Sequence, residues 1–143
     1  MCLSNVTAKE NKKFVAKHGK DTTIRVWKVY EKWYGRLESP FQYSKIQGPG
    51  IVDSDRRYKR LNLKSDGDRA GFYDRSWRVF HGIHVFTNRE AALNKMVSNR
   101  WDRVVVCCHV EMSDFVACNG KGEAVFMKIT ISPRNYRRAV RGK

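Results

Sequence analysis

Apolar and polar positions alternate most cleanly between Arg103 and Met112. Val104, Val106, Cys108 and Val110 fall on one side of an extended chain, and Val105, Cys107, His109 and Glu111 on the other. Successive strand side chains point to opposite faces, so this stretch predicts a strand with one apolar face. Ile24-Arg25-Val26-Trp27-Lys28-Val29-Tyr30, rich in β-branched and aromatic residues, predicts another strand, broken at Gly35. His81–Phe86 predicts a short strand. Ala124–Ser132 predicts one more, with Val125, Met127, Ile129 and Ile131 turned inward.

Helical spacing appears in three places. Thr7-Ala8-Lys9-Glu10 has the form of a capping box, in which a hydroxyl and a carboxylate satisfy free N–H groups of the first turn. The helix it opens would run to about His18 and stop at Gly19. Thr87-Asn88-Arg89-Glu90 repeats the form ahead of a stripe of Ala92, Leu93, Met96 and Val97 that ends near Asn99. Ser132-Pro133 supplies an N-cap followed by proline at the first helical position. From Ser39 to Arg78 the regularity fades into turn punctuation at Pro40, Gly48-Pro49-Gly50, Asp66-Gly67-Asp68 and Gly71. Short strands or turns are expected within it around Phe41–Ile46 and Phe72–Trp77, and a loop of this length is often functional.

This order predicts an α+β fold, a curved and mostly antiparallel sheet with two to three packed helices. In 143 residues it predicts a single domain: a basic N-terminal helix in residues 1–20, a core in 21–132 and a basic C-terminal segment in 133–143. Apolar residues at 41% are enough for one core and argue against a disordered basic tail.

Charge adds a partner. Lys and Arg number 29 against 14 Asp and Glu, a net charge of +15 that repels itself in a compact molecule. Lys9, Lys13 and Lys17 recur every four residues with Lys12 beside them, and Arg134, Arg137, Arg138 and Arg141 follow i, i+3, i+4, i+7. That spacing puts each set on one helix face, where it would track the phosphates of a nucleic acid or a nucleoprotein complex. Arg56, Arg57 and Arg60 of the middle loop could join them, and Tyr136, Trp27, Trp33 and Tyr34 could stack on bases. The plainer reading, that such faces only solvate a protein, is weakened by two rows and so lopsided a total. The charge alone does not choose between DNA, RNA and a phospholipid surface.

Other candidate chemistry is thinner. No apolar run approaches the roughly 18–20 residues of a membrane span, and the lysine-rich start lacks a signal peptide's apolar stretch. Both predict an intracellular, cytoplasmic protein with no membrane partner. Adjacent Cys107 and Cys108 would face opposite sides of a strand, and with Cys2 and Cys118 they predict reduced thiols. His81-x-x-His84 faces two ways on a strand, so packing outweighs a metal site there, with or without Cys107 and His109. Asp53-Ser54-Asp55 and Asp66-Gly67-Asp68 lack the closing glutamate of a calcium loop and predict turns. Glu111 and Glu123 are strand-end carboxylates placed where acid–base work is feasible, although surface exposure is their usual fate.

The stretch Gly82-Ile83-His84-Val85-Phe86-Thr87-Asn88-Arg89-Glu90-Ala91-Ala92 resembles an element of small uncharacterised domains in bacteriophages and large DNA viruses. That likeness implies a phage or viral protein acting in a host cell, for which blocking a host nucleic-acid-guided complex would be a suitable role. The layout is also similar to the ADP-ribosyltransferase fold, where such a strand leads into a helix, a hydrophobic strand and a later strand opening on glutamate. This second resemblance implies NAD as cofactor, Glu123 as catalytic glutamate, His84 at the family's tyrosine position, and Arg25 or Trp27 on the first NAD-facing strand. Histidine in place of tyrosine is a departure from that pattern. Three functions are therefore expected in turn: phosphate-directed nucleic-acid binding without a cofactor, NAD-dependent ADP-ribosyl transfer, and docking onto an acidic protein.

Overall fold

The computed structural model describes residues 6, 8–33, 36–38, 46–47, 49–53, 72–73, 78–79, 82–97 and 103–141. Helix α1 spans Ala8–His18 and is followed by the long strand β1, Thr23–Trp33. Short strands β2 (Arg36–Glu38), β3 (Ile46–Gln47) and β4 (Gly50–Asp53) come next, then β5 (Phe72–Tyr73) and β6 (Arg78–Val79). Strand β7 (Ile83–Phe86) leads into helix α2 (Arg89–Val97) and strand β8 (Arg103–Glu111). A 3-10 turn at Met112–Asp114 precedes β9 (Phe115–Cys118), β10 (Glu123–Phe126), β11 (Lys128–Ile131) and helix α3 (Pro133–Arg141). The fold is α+β.

The main sheet runs β4-β11-β8-β1-β7-β10-β9, with β2 paired to β1 and β3 to β2, while β5 and β6 form a separate hairpin. Every described pair is antiparallel. Its backbone is the β1–β8 pair, in register from Thr23↔Glu111 to Glu31↔Arg103. The expected alternation of β8 holds: Val106, Cys108 and Val110 are buried, whereas Val105, Cys107 and His109 are half-buried and Glu111 is exposed.

The segment expected as one strand over Ala124–Ser132 is two. Met127 donates its N–H to Asp114 O at 2.8 Å, and at that point the chain changes partners. β10 lies between β7 and β9, and β11 between β8 and β4, on the opposite flank. With Met127 alone between them, the sheet must bend strongly for both flanks to be reached. The inward side changes parity as well. Ala124 and Phe126 fill the core before the break, and Ile129 and Ile131 after it. Val125, expected to share the inner row with Ile129, is buried outside that core, because it alternates with Ala124 and Phe126 and the parity changes only at Met127.

The inner side of the bend holds the main core, where Val26, Tyr30, Val85, Cys108, Phe115, Phe126 and Ile129 pack together. Phe14 and Val15 of α1 and Tyr136, Ala139 and Val140 of α3 close this core, so both terminal helices sit on the same side of the sheet. Phe14 lies on Phe115 with ring centroids 5.0 Å apart. On the outer side α2 covers a smaller cluster of Val29, Phe86 and Ala92, flanked by Trp27, Ala91 and Val105.

Helix boundaries follow local chemistry. α1 ends at Gly19, whose N–H donates to Val15 O at 2.8 Å, and the Thr22 hydroxyl donates to His18 O. The Thr7 side of the expected capping box falls outside the described residues. The N-cap of α2 is Asn88, whose Oδ1 accepts the Ala91 N–H at 2.7 Å, so the cap stands one residue later than the Thr87 expected. Thr87 instead donates its N–H to Gly122 O at 2.8 Å. α3 starts as expected, with Ser132 Oγ accepting the Asn135 N–H at 3.1 Å. Gly82 precedes β7 at φ 95, and a Cβ there would run into Val125 Cγ1. Only glycine fits that corner.

One cation is buried in the inner core. Lys28 is 5% exposed, and its Nζ donates to His84 O at 3.1 Å. β1 and β7 are in register only at Trp27↔Phe86, which leaves this carbonyl for a side-chain donor. Desolvation lowers the Lys28 amine to about 8, and the nearby Cys108 thiol opposes that shift. The Tyr30 hydroxyl beside it is buried without a hydrogen-bond partner among the described residues. The Cys107 thiol is pushed up by burial, and those of Cys108 and Cys118 are pushed up to about 12. All three are free, and the buried pair is chemically inert.

Candidate functional site

Both basic rows are built by amphipathic helices docked through their other sides. In α1, buried Asn11 and half-buried Phe14, Val15 and His18 face the sheet, which turns Lys9, Lys12, Lys13 and Lys17 to solvent. Asn11 Oδ1 accepts the Cys118 N–H at 2.8 Å and Cys118 Sγ donates to Glu10 O at 3.4 Å, so the helix is tied along β9. His18 lies tilted against Phe14, with ring centroids 4.4 Å apart, and partial burial followed by the Lys17 charge lowers its pKa. In α3, Ala139 is buried and Tyr136 and Val140 half-buried, leaving Arg134, Arg137, Arg138 and Arg141 exposed. Asn135 Nδ2 donates to Cys107 O at 3.1 Å and fixes the rotation of α3 over β8.

Among the described residues none of these eight cations makes an ion pair. Eight exposed charges thus stand on two helices of one sheet side, facing solvent. Arg56, Arg57 and Arg60 lie outside the described residues, as does Tyr34. Of the proposed stacking residues, Trp27 and Tyr136 are half-buried and are partly spent on packing against the two cores.

The residues expected for an enzyme are placed differently. Arg25 is exposed on the outer sheet face, level with His109. Glu123 is half-buried and stands level with Phe86 and Trp27. Its N–H donates to Asn119 Oδ1 at 3.2 Å, which organises the β9–β10 turn. His84 is 5% exposed, in the middle of β7. By the register, Arg25 and His84 lie four residues apart along the strand direction, roughly 13 Å, on either side of the level of Glu123. Arg25, His84 and Glu123 share a sheet face, but the register separates Arg25 from His84 along the strands by that distance. Among the described residues no group of three His, Cys, Asp or Glu could hold a metal ion. Among them, too, no helix is long and apolar enough to cross a membrane.

Lys28 was not singled out by sequence reasoning. A lone lysine in a strand normally reads as an outward residue, and only its even-numbered position beside Val26 and Tyr30 hinted at burial. No family model, curated protein or solved structure matches the chain.

Proposed function

We propose that the protein binds nucleic acid, alone or within a nucleoprotein complex, by setting the α1 and α3 rows against phosphates. The observation that carries this reading is the exposure of all eight cations, without ion pairs among the described residues, on two helices anchored to the same side of one sheet. A net charge of +15 supplies the long-range attraction. A phage or viral source and a role against a host nucleic-acid-guided complex fit this activity. NAD-dependent ADP-ribosyl transfer draws less support, because His84 is buried and stands well away from the level of Arg25.

Salt titration tests the proposal. Each phosphate contact contributes about −0.7 to −0.9 to the slope of log K against log salt. Reversing Arg137, Arg138 and Arg141 to Glu should weaken binding to a mixed oligonucleotide set by tenfold or more at low salt. An affinity that stays within about twofold removes α3 from the interface. Salt-sensitive capture of an acidic protein, with no oligonucleotide bound, would replace the nucleic acid by that partner.

A further inference from the structure

We infer that the two rows do different work: the α1 lysines hold phosphates, and the α3 arginines read base edges in the major groove of a DNA duplex. This rests on the nucleic-acid reading above and names its substrate class. The observation is a complete partition of cation type. The exposed row of α1 is Lys9, Lys12, Lys13 and Lys17, and that of α3 is Arg134, Arg137, Arg138 and Arg141. Net charge does not register the exchange, but the chemistry does. An ammonium is a compact point charge suited to diffuse phosphate contact, whereas a guanidinium is a flat fork that donates two parallel hydrogen bonds. Guanine O6 and N7 in the major groove present the acceptor pair that matches this fork.

The geometry of α3 suits insertion. At 100° per residue its four arginines fall within about 100° of arc, and they extend about 10 Å along the axis. The opposite side is seated by Tyr136, Ala139 and Val140, and the Asn135–Cys107 hydrogen bond holds the rotation, so the arginine edge faces outward. No acidic residue occurs in α3, whereas α1 carries Glu10 in its first turn. The forks of α3 are therefore not engaged by carboxylates of their own helix. A B-form major groove, about 12 Å wide, admits a helix. The deep, narrow major groove of duplex RNA does not, which selects DNA.

Charge-conserving exchange tests the division. Fluorescence anisotropy would compare a guanine-rich DNA duplex, an A·T-only duplex of equal length, a duplex RNA and a single strand across a salt series. The wild type should favour the guanine-rich DNA by tenfold or more over the A·T-only duplex and the RNA. Replacing Arg134, Arg137, Arg138 and Arg141 together by Lys should abolish that preference while the salt slope stays in place. Replacing Lys9, Lys12, Lys13 and Lys17 by Gln should instead lower the salt slope and weaken binding to every nucleic acid alike. Circular dichroism of each variant checks the fold, since every exchanged side chain is exposed. Salt-dependent binding without sequence preference, or a preference that survives the α3 exchange, overturns this inference and leaves the phosphate reading standing. Absence of salt-dependent binding to every nucleic acid overturns both.

Discussion

Lys28 and the eight helix cations carry the same charge in opposite surroundings. The interior amine has one carbonyl acceptor and the face of Tyr30, 5.5 Å from Nζ to the ring centroid. The helix cations have water. Burial therefore turns Lys28 into a question of stability, while exposure turns the α1 and α3 rows into a question of binding. A residue count of +15 hides that distinction.

The comparison breaks most sharply with pH. The Lys28 amine ionises near 8 in the fold and near 10.5 when unfolded, so between those values the unfolded chain binds more protons. Stability contributed by this group therefore rises with pH across that window, by about 3 kcal/mol. The buried thiols act in the opposite sense. Their pKa values are raised, so above about 9 they lower stability as the unfolded thiols ionise. Lys28→Met isolates the amine: its stability relative to wild type, by urea denaturation, should decline by about 3 kcal/mol from pH 8 to 10.5. A constant difference would show that the amine is solvated in the folded protein.

The exterior side of the comparison gives the next effect. Changing Lys9, Lys13 and Lys17 to Glu should cut oligonucleotide affinity about tenfold or more at low salt, yet move folding stability by no more than about 0.5 kcal/mol. A neutral polar contact in the interior comes next. Asn11→Ala strips the acceptor from the buried Cys118 N–H and should lower stability by about 1–2 kcal/mol without changing the salt slope. Smallest is Tyr30→Phe, which deletes a hydroxyl that makes no hydrogen bond among the described residues and should leave stability unchanged or raise it by under about 1 kcal/mol. A loss larger than that would reveal a partner for the phenol.

Periodic stretches carried most of the fold. β8 was readable because its alternation is uninterrupted, and α3 because Ser132-Pro133 is a strong start signal. The change of partner at Met127 was not readable. Ala124 to Ser132 is apolar enough to look like one strand, and the switch depends on a tertiary acceptor, Asp114 O. The α2 cap was misplaced by one residue because Thr87 and Asn88 are both good caps, and the Gly122 carbonyl takes the Thr87 N–H. Within the irregular half, β3 and the β5–β6 hairpin fall near the short strands expected, and residues 41–45 and 74–77 lie outside the described set. The basic rows were legible because helical spacing settles which side chains travel together. That Arg25 and His84 fall at separate levels was not, since it depends on register between strands.

Placing β10 and β11 on opposite flanks also governs how fast the molecule can assemble. β11 is seated only when it meets β8 on one side and β4, from the first half of the chain, on the other. Long stretches of polypeptide must be brought together before those pairings repay the lost chain entropy. Refolding should therefore be slow for a domain of this size, roughly milliseconds to seconds.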